Sequence, residues 1–540
     1  PPFQLSQHMK PTSRHCSRLF PAIFIAFTAL AIVPASATSD SWDGSTDATW
    51  ATSTNWLTDP VGVPGTGDTA TFSNGGNGNT TIDLGAGVTI KTILFDTSSV
   101  AAYTIGSGVV GSQTLNFDNT GAITINSGVT ANQVFNANLQ LNSAAAANST
   151  FTNNGSGLLT IAGTVNANVA SGNGVLNVDG TGNTTISGAV TKTGAGSNAL
   201  FKKGSGTLTL SNGSVWSGAG AVQTAFSGPF TVQQGVLLLA GGTHTVTGEA
   251  VIGGVVTHGG AGQNAKIQVD AGTLAISGYL SVGRGNGTGT ATSDLVLNNG
   301  ASVTAGSMSA GFNAGNAGNT PKGTITLNNT SSLTVGSGGA FNLAESAGSN
   351  MTMTLNDSAS VTVTGSASGN AAAQATARHI GNQGTGVLTM NGTSSFSGGT
   401  SILNVGYQAG NGTINLNSGT FTLGGELRVG ATNVNSSAAG SGIVNVAGGS
   451  MTLGALTLGR ANDITGKMSG TMNVSGGTAT SNGSAIIGFQ GDGTAGGTLN
   501  VTGGTFTGAA TGGIVIIGTA GSGRGVVNVN GGTFTSVNDM

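Results

Sequence analysis

The sequence has little charge, little proline and one cysteine. Lys and Arg number 15 and Asp and Glu number 18, so charged residues make up 6 % of 540, against about 25 % in an ordinary soluble domain. So few cations cannot form the basic stripe that nucleic-acid phosphates require, and no nucleic-acid partner is expected. With 9 Pro and no Gly at every third position, collagen is excluded. The scarcity of Glu excludes a coiled coil or helix bundle.

Glycine is abundant instead. The chain holds 97 Gly in 540 residues, while hydrophobic residues still reach 37 %. Gly and Pro together stay below the share of roughly 25–30 % that is typical of low-complexity disorder. The composition therefore indicates a long, weakly charged, β-rich chain with frequent turns.

The N-terminal segment has the order of a secretory signal peptide. A basic segment at 10–18 precedes an apolar run at 19–33, and the small residues Ala35-Ser36-Ala37 follow. The apolar run of about 15 residues is too short to span a bilayer comfortably. We therefore expect cleavage after Ala37 and export of the mature chain.

These boundaries define the first two segments of the chain. Residues 1–8 precede Met9 and are interpreted as extraneous, and residues 9–37 as the signal peptide. The only cysteine, Cys16, lies within the signal peptide. The mature chain is then cysteine-free, so its stability must come from its backbone and core rather than from disulfides.

A block of similar sequence recurs from residue 265 to the end, for example Gly442-Ile-Val-Asn-Val-Ala-Gly-Gly. The spacings average about 29 residues, which is typical of a solenoid repeat. The blocks begin at residues 265, 293, 323, 351, 386, 412, 442, 470, 497 and 525.

The third and fifth positions of each block are aliphatic or Met, and strand alternation places both on the inward face. The pairs are Ile267/Val269, Leu295/Leu297, Ile325/Leu327, Met353/Leu355, Leu388/Met390, Ile414/Leu416, Val444/Val446, Met472/Val474, Leu499/Val501 and Val527/Val529. Asn occupies the position between them in the last five blocks, from Asn415 to Asn528. We expect these amides to hydrogen-bond in a ladder along the outside.

Two further short strands complete each block. The second carries Phe421, Met451, Ala479, Phe506 and Phe534 at matching positions, and the third ends in an apolar residue followed by Gly, as in Leu458-Gly459. Three short strands per coil predict an all-β, right-handed parallel β-helix. An antiparallel sandwich suits short strands with Gly turns, but it does not account for the constant period.

The front of the chain is less regular. Residues 101–264 alternate apolar and polar residues between turns with a weaker phase and are interpreted as irregular coils, and 265–540 as the regular repeats. Residues 38–100 contain Trp42, Trp50 and Trp56 and many of the Asp residues. Because a terminal coil exposes its core and an open strand edge, we interpret this segment as an N-terminal cap.

Two segments resemble a known family. The first is Lys203-Gly-Ser-Gly-Thr-Leu-Thr-Leu-Ser211, followed by Phe226-Ser-Gly-Pro-Phe-Thr-Val-Gln-Gln-Gly-Val-Leu-Leu-Leu-Ala240. It is similar to the autotransporter-associated β-strand repeat of exported bacterial surface proteins. The head, with Trp42-Asp-Gly, Asn55-Trp56 and Gly67-Asp-Thr-Ala-Thr-Phe72, is similar to the start of many such passenger regions. The resemblance covers 203–240 and the head. It implies a β-helical passenger at a Gram-negative-type cell surface and no catalytic residues.

The end of the chain departs from that family. Such passengers continue into an outer-membrane β-barrel or a short sorting signal, whereas this sequence stops at Met540 in the middle of a coil. We therefore expect a fragment whose membrane attachment depends on a missing C-terminal segment.

Residues that could carry chemistry do not form a pattern. Glycoside hydrolysis needs two carboxylates on one face, yet the acids after residue 265 occupy unlike positions in neighbouring coils. Glu426, Arg428, Arg460 and Asp463 form the densest charged group, interpreted as solvated turns.

Other candidates are weaker still. Asp40, Asp43 and Asp47 lack the spacing of a Ca²⁺ loop and are expected to be exposed cap acids. The histidines His244, His258 and His379 are scattered, and Gly459 to Lys467 lacks the spacing of a phosphate loop. Trp216 is expected in the core rather than on a sugar-binding surface. No catalytic, metal or cofactor site is predicted.

The sequence therefore predicts a non-enzymatic exported surface protein that acts as an adhesin, spacer or matrix component, with surface glycans or the surface of a host or neighbouring cell as partners. One alternative is a secreted polysaccharide-degrading β-helix enzyme, either a lyase or a glycoside hydrolase. A second alternative is a self-associating structural fibre, which low charge and open strand edges favour.

Overall fold

A computed structural model describes most of the chain. The described residues are 39–58, 62–143, 148–217, 228–253, 264–284, 292–312, 320–336, 339–364, 378–432, 439–460, 467–490, 496–519 and 523–538. The predicted signal peptide, His258 and Asp463 lie outside them. The described chain is all-β, with 3₁₀ helices at Ser53–Asn55 and Gly76–Gly78.

The strands wind into a parallel β-solenoid of about 15 turns with coils of roughly 28 residues. One seventeen-stranded sheet, here called face A, is built from the first strand of successive coils. The strands of face A are Thr81–Ile82, Thr104–Ile105, Gln133–Phe135, Leu159–Ile161, Thr184–Ile186, Thr207–Leu210, Gly235–Leu239, Ala265–Val269, Thr292–Leu297, Lys322–Leu327, Asn350–Leu355, Thr385–Met390, Asn411–Leu416, Ser441–Val446, Ser469–Val474, Gly496–Val501 and Arg524–Val529.

The remaining strands form a 29-stranded sheet that bends into two faces, B and C, which follow face A in each coil. Face B contains Asn138–Ser143, Val165–Val169, Val190–Thr193, Ser214–Ser217, Thr243–Thr247, Ser332–Val335, Ser360–Val363, Ser395–Ser397, Thr478–Ser481, Thr505–Gly508 and Thr533–Ser536. Face C contains Asp40–Trp42, Thr69–Phe72, Asn148–Asn153, Asn173–Asp179, Ser197–Lys202, Phe230–Val232, Ala250–Ile252, Phe341–Leu343, Arg378–Ile380, Leu403–Tyr407, Ala485–Gln490 and Val515–Ile517. Six longer strands run through both faces without a break: Val88–Phe95, Thr114–Ile125, Thr273–Val282, Ser302–Ala310, Thr420–Ala431 and Ser450–Arg460.

The predicted period is confirmed residue by residue. All ten block starts are register partners of one another on face A, from Ala265 paired with Ser293 to Gly497 paired with Gly525. The coils before residue 265 pair in the same way, for example Thr160 with Thr185 and Thr185 with Thr209. Parallel stacking therefore extends through the part of the chain whose sequence phase is weak.

The interior is filled by the predicted aliphatic columns. Of the twenty residues at the third and fifth block positions, eighteen are buried, while Val527 is partly buried and Val529 is 50 % exposed. Both exceptions belong to the last described coil, which has no later described strand packed on it. On face B, Phe396 and Phe421 stack with ring centroids 4.9 Å apart. Each coil thus covers the apolar side chains of the coil before it.

Glycine near the end of the third strand is required by close approach of the next coil. Gly430, Gly459 and Gly488 have φ values of 63°, 66° and 80°, a region that L-residues with a Cβ occupy at a cost. A Cβ on Gly459 would lie 2.3 Å from the carbonyl carbon of Gly496. The predicted apolar-Gly pair is present near the end of this strand, which continues one or two residues beyond the Gly. The Gly is required by both the backbone conformation and the lack of space.

The predicted amide ladder is present on the outside of face A. Asn445, Asn473, Asn500 and Asn528 each donate from Nδ2 to Oδ1 of the Asn one coil earlier, at 2.8–2.9 Å. A second ladder, which the sequence analysis did not predict, begins at Asp270 and runs through the turn after face A. Its later members are Asn298, Asn328, Asn356, Asn391 and Asn417.

The three N-terminal tryptophans lie inside the first coil. Trp42 and Trp50 both contact the Trp56 ring, with centroid distances of 5.2 and 4.9 Å, and all three lie against Phe72. The indole of Trp50 donates to the carbonyl of Pro64 at 3.0 Å. The rings therefore fill the interior beside the first paired strands and keep their polar edges hydrogen-bonded.

Candidate functional site

The charged group around Glu426 is an ion-pair cluster on face C. Arg428 contacts the carboxylate of Glu426 at 2.8 Å, and Arg460 of the next coil lies 3.6 Å from the same group. Thr457 donates to Glu426 at 2.6 Å. The expectation of two solvated turns is wrong, because these residues lie within the strands Thr420–Ala431 and Ser450–Arg460.

Glu426 is held in its charged form. Burial alone raises the pKa of this carboxyl, but hydrogen bonds from Arg428 and Thr457 and the charges of both arginines bring the pKa below its ordinary value. A general acid needs a raised pKa and a second carboxylate across the substrate. Neither these strands nor the preceding face C strand, Leu403–Tyr407, contains another acid. The cluster therefore joins adjacent coils, and its geometry is not that of a glycosidase pair.

The three head acids are separate hydrogen-bond acceptors. Asp40 is buried rather than exposed, because its carboxylate accepts bonds from the backbone N–H and the hydroxyl of Thr58 at 3.1 and 2.8 Å. Asp47 accepts bonds from the backbone of Thr49 and the side chain of Asn55, which lower its pKa. In the described part of the chain, no three His, Cys, Asp or Glu residues form a group that could hold a metal ion.

A serine–histidine pair that the sequence analysis did not predict is sealed in the core. Ser214 Oγ lies 2.8 Å from Nδ1 of His244, and the indole of Trp216 donates to the same oxygen at 2.8 Å. Nε2 of His244 contacts the carbonyl of Gly241 at 2.9 Å, so Nε2 carries the proton and Nδ1 accepts from Ser214. All three side chains are buried. No substrate can reach this pair, and Trp216 is a core residue as predicted.

His379 lies on the outer side of face C but is also buried. Its Nδ1 lies 2.9 Å from the amide oxygen of Asn342, which can only accept, so Nδ1 carries the proton. The ring packs on Tyr407 with centroids 4.6 Å apart. Burial lowers the pKa of His379 to about 3. The imidazole is therefore neutral at physiological pH and serves a packing and hydrogen-bonding role.

Two cations point into the solenoid at positions that other coils fill with apolar side chains. Lys202 pairs in register with Val178 and Val232, and its Nζ donates to the carbonyls of Gly204 at 2.8 Å and Gln234 at 3.2 Å. Burial lowers the pKa of Lys202 to about 8. Arg378, which pairs with Phe341, is likewise buried and donates to backbone carbonyls. Backbone carbonyls thus satisfy both cations inside the fold.

Face B presents a regular surface, here called the hydroxyl face. Nine successive coils each place two Ser or Thr side chains outward, on either side of one inward apolar residue, and none of the eighteen is buried. The first column contains Ser302, Ser332, Ser360, Ser395, Thr420, Ser450, Thr478, Thr505 and Thr533, and the second contains Thr304, Thr334, Thr362, Ser397, Thr422, Thr452, Thr480, Thr507 and Thr535.

The repeated Ser/Thr-x-Ser/Thr pattern is present in the sequence of each coil, but its two-column order follows only from the register. The spacing between block starts varies from coil to coil, whereas the paired strands keep each hydroxyl opposite its equivalent. Surface-exposed hydroxyls in this array can donate and accept hydrogen bonds without carrying charge. This array is therefore a candidate binding surface.

In comparisons with known proteins, no family model, no curated protein and no solved structure matches the chain. Among the described residues, no helix has the length and apolar character needed to cross a membrane. The class that the fold defines is a parallel β-solenoid with repeated coils.

Proposed function

We propose that the chain is a non-enzymatic, exported β-helical passenger of the autotransporter type, which acts at the cell surface as an adhesin, spacer or matrix component. The hydroxyl face is the observation that carries this proposal. Eighteen hydroxyls at matching positions in nine coils supply many equal, weak contacts, and such contacts gain strength through avidity. The family resemblance of 203–240 and of the head implies the same role.

The surroundings of the candidate catalytic side chains also support a non-enzymatic role. The Glu426 carboxylate is neutralised by two arginines, and the Ser214–His244 pair is closed off in the core. The partners proposed for such a passenger are surface glycans or the surface of a host or neighbouring cell, which the hydroxyl face contacts.

Binding can be tested with paired substitutions on two faces. Thr452→Lys with Thr480→Lys places two charges in the hydroxyl face, in adjacent coils. Thr471→Lys with Thr498→Lys is a matched control, since these threonines are also register partners in adjacent coils, partly exposed, and lie on face A. We expect cell-surface adhesion of the full chain to fall only with the first pair. Adhesion that is absent, or equally sensitive to both pairs, contradicts the proposed role of this face.

Export and catalysis have separate tests. Expression with a Gram-negative export system should yield a mature N-terminus after Ala37, whereas an N-terminus at Met9 contradicts the signal-peptide interpretation.

Incubation with polysaccharides should release no new ends. Release that Glu426→Gln abolishes, with an unchanged circular dichroism spectrum, would establish the enzyme alternative instead.

A further inference from the structure

The hydroxyl face is a two-dimensional grid with nearly fixed spacings. Equivalent residues of adjacent parallel strands, such as Thr452 and Thr480, lie about 4.8 Å apart. Residues two apart in one strand, such as Thr478 and Thr480, lie about 6.6 Å apart along the perpendicular direction. The grid repeats through nine coils. A partner that contacts the whole face must therefore repeat on a similar grid.

The chemistry of the face narrows the kind of partner. The three-residue segments that form the face, two outward hydroxyl residues and the inward residue between them in each coil, contain no Lys, Arg, Asp or Glu. Charged polymers, phosphates and acidic glycans therefore find no counter-charge in these segments. The outward positions also lack Trp, Tyr and Phe, the side chains on which sugar rings stack. A neutral lattice of hydrogen-bonding groups therefore matches the chemistry of the face.

The grid is also held rigid. Thr is β-branched and restricted at χ1, and the residues between the two columns, such as Phe396, Phe421 and Met451, are buried in the core. Within the described residues, one hydrogen bond joins two hydroxyls of the face, from Ser332 to Ser302 at 3.3 Å. Most of the hydroxyls are therefore available to external partners. Because their arrangement is already ordered before binding, association costs less conformational entropy.

We propose that the hydroxyl face binds ice. Water molecules on the prism face of hexagonal ice repeat in two perpendicular directions at intervals close to those of the grid, and each is both a donor and an acceptor, like the Ser and Thr hydroxyls. The threonine methyl groups contribute apolar contact between the hydroxyls. The inference rests on the proposed function, in that it assigns a further partner to the same adhesive face.

The experiment measures partition of the full chain into slowly growing ice, together with thermal hysteresis. Thr452→Tyr with Thr480→Tyr places two bulky rings in the middle of the face, and Thr471→Tyr with Thr498→Tyr is the control on face A. We expect ice enrichment of the unsubstituted chain and a loss of about tenfold or more for the first pair only, because one disrupted patch breaks a multivalent contact. Circular dichroism confirms that both variants keep the β-fold.

Three outcomes overturn the proposal: no enrichment of the unsubstituted chain in ice, equal loss in both variants, or binding to crystalline cellulose with none to ice. The cellulose result leaves the proposed surface function in place with a different partner. Failure of the proposed function itself is seen separately, as loss of export or of cell-surface adhesion in the assays above.

Discussion

Nδ2 of Asn473 donates a hydrogen bond to Oδ1 of Asn445, its register partner in the preceding coil, at 2.8 Å, while Oδ1 of Asn473 accepts from Asn500 at the same distance. Each interior member of the ladder is therefore both donor and acceptor. Loss of one amide removes one hydrogen bond from each of its two partly buried neighbours, so two bonds are lost at once.

Asn473→Ala should lower the free energy of unfolding by about 1–2 kcal/mol. Asn473→Thr is the matched control for strand propensity, because Thr389 stands at the same position three coils earlier. Hydrogen exchange of the strand Ser469–Val474 measures the effect locally, which suits a solenoid whose coils open in part. Equal protection in Asn473→Ala and the unsubstituted chain would contradict a stabilising ladder.

Gly459→Ala should destabilise the solenoid by about 2 kcal/mol or more, because a left-handed φ and a clash act together. The new Cβ would lie 2.3 Å from the carbonyl carbon of Gly496. Gly512→Ala is the control, since a Cβ there has no neighbour within 4 Å. Thermal unfolding followed by circular dichroism should show a lower midpoint for Gly459→Ala alone. Similar midpoints would show that the coils do not approach as closely as described.

The stability of the fold should decrease in mild acid because of His379. Its pKa is about 3 in the folded chain and about 6.5 when unfolded, so the unfolded state takes up the proton first. The contribution of His379 to the free energy of unfolding is present in full above pH 6.5 and is lost as the pH falls toward about 3. The loss is at most about 1.4 kcal/mol per pH unit.

His379→Asn tests this origin, because Asn342 and Asn404 are the register partners of His379 in the two adjacent coils. Urea unfolding of the variant should depend less on pH between 6.5 and 4 than that of the unsubstituted chain. His244, whose pKa burial also lowers, remains in both proteins. Identical pH dependence would mean that His379 is not protected from protonation.

Ser214→Ala should cost about 1–3 kcal/mol, because Trp216 and His244 both lose a buried partner. Ser450→Ala on the hydroxyl face is the control and should be nearly neutral. Denaturant unfolding monitored by tryptophan fluorescence reports the difference. A harmless Ser214→Ala would indicate that water enters this region, and the case for a sealed pair would fail.

Much of the fold follows from the alternation of side chains. The inward columns, the Asn415–Asn528 ladder and the Gly near the end of the third strand are local patterns, and the structure contains all three. Lys202 and Arg378 could not be predicted in this way, because a charge in an alternating pattern indicates an outward position. Their burial depends on backbone carbonyls of residues distant in the sequence, such as Gln234 and Gly339. These carbonyls lie near the two cations only because the chain winds into stacked coils.

The candidate surface was predicted only in part. Single strands such as Thr-Phe-Thr at 505–507 show polar residues on one side, which indicates a polar face. The grid arises because the coils stay in register while their lengths change, for example between Ser360 and Ser395. Because the loops between the strands differ in length, a search of the sequence for one fixed period does not detect this register.

The central claim, that successive coils stack in register and carry the hydroxyl columns with them, is tested most directly by spin-label distances. The chain has no cysteine after Cys16, so labels can be placed at Thr535 and, in separate proteins, at Ser397 or Thr334, which lie five and seven coils away. The solenoid predicts mean distances of about 24 and 34 Å, an increase of about 4.8 Å per coil. Distances that do not grow with the number of coils, as in an antiparallel sandwich, would contradict it.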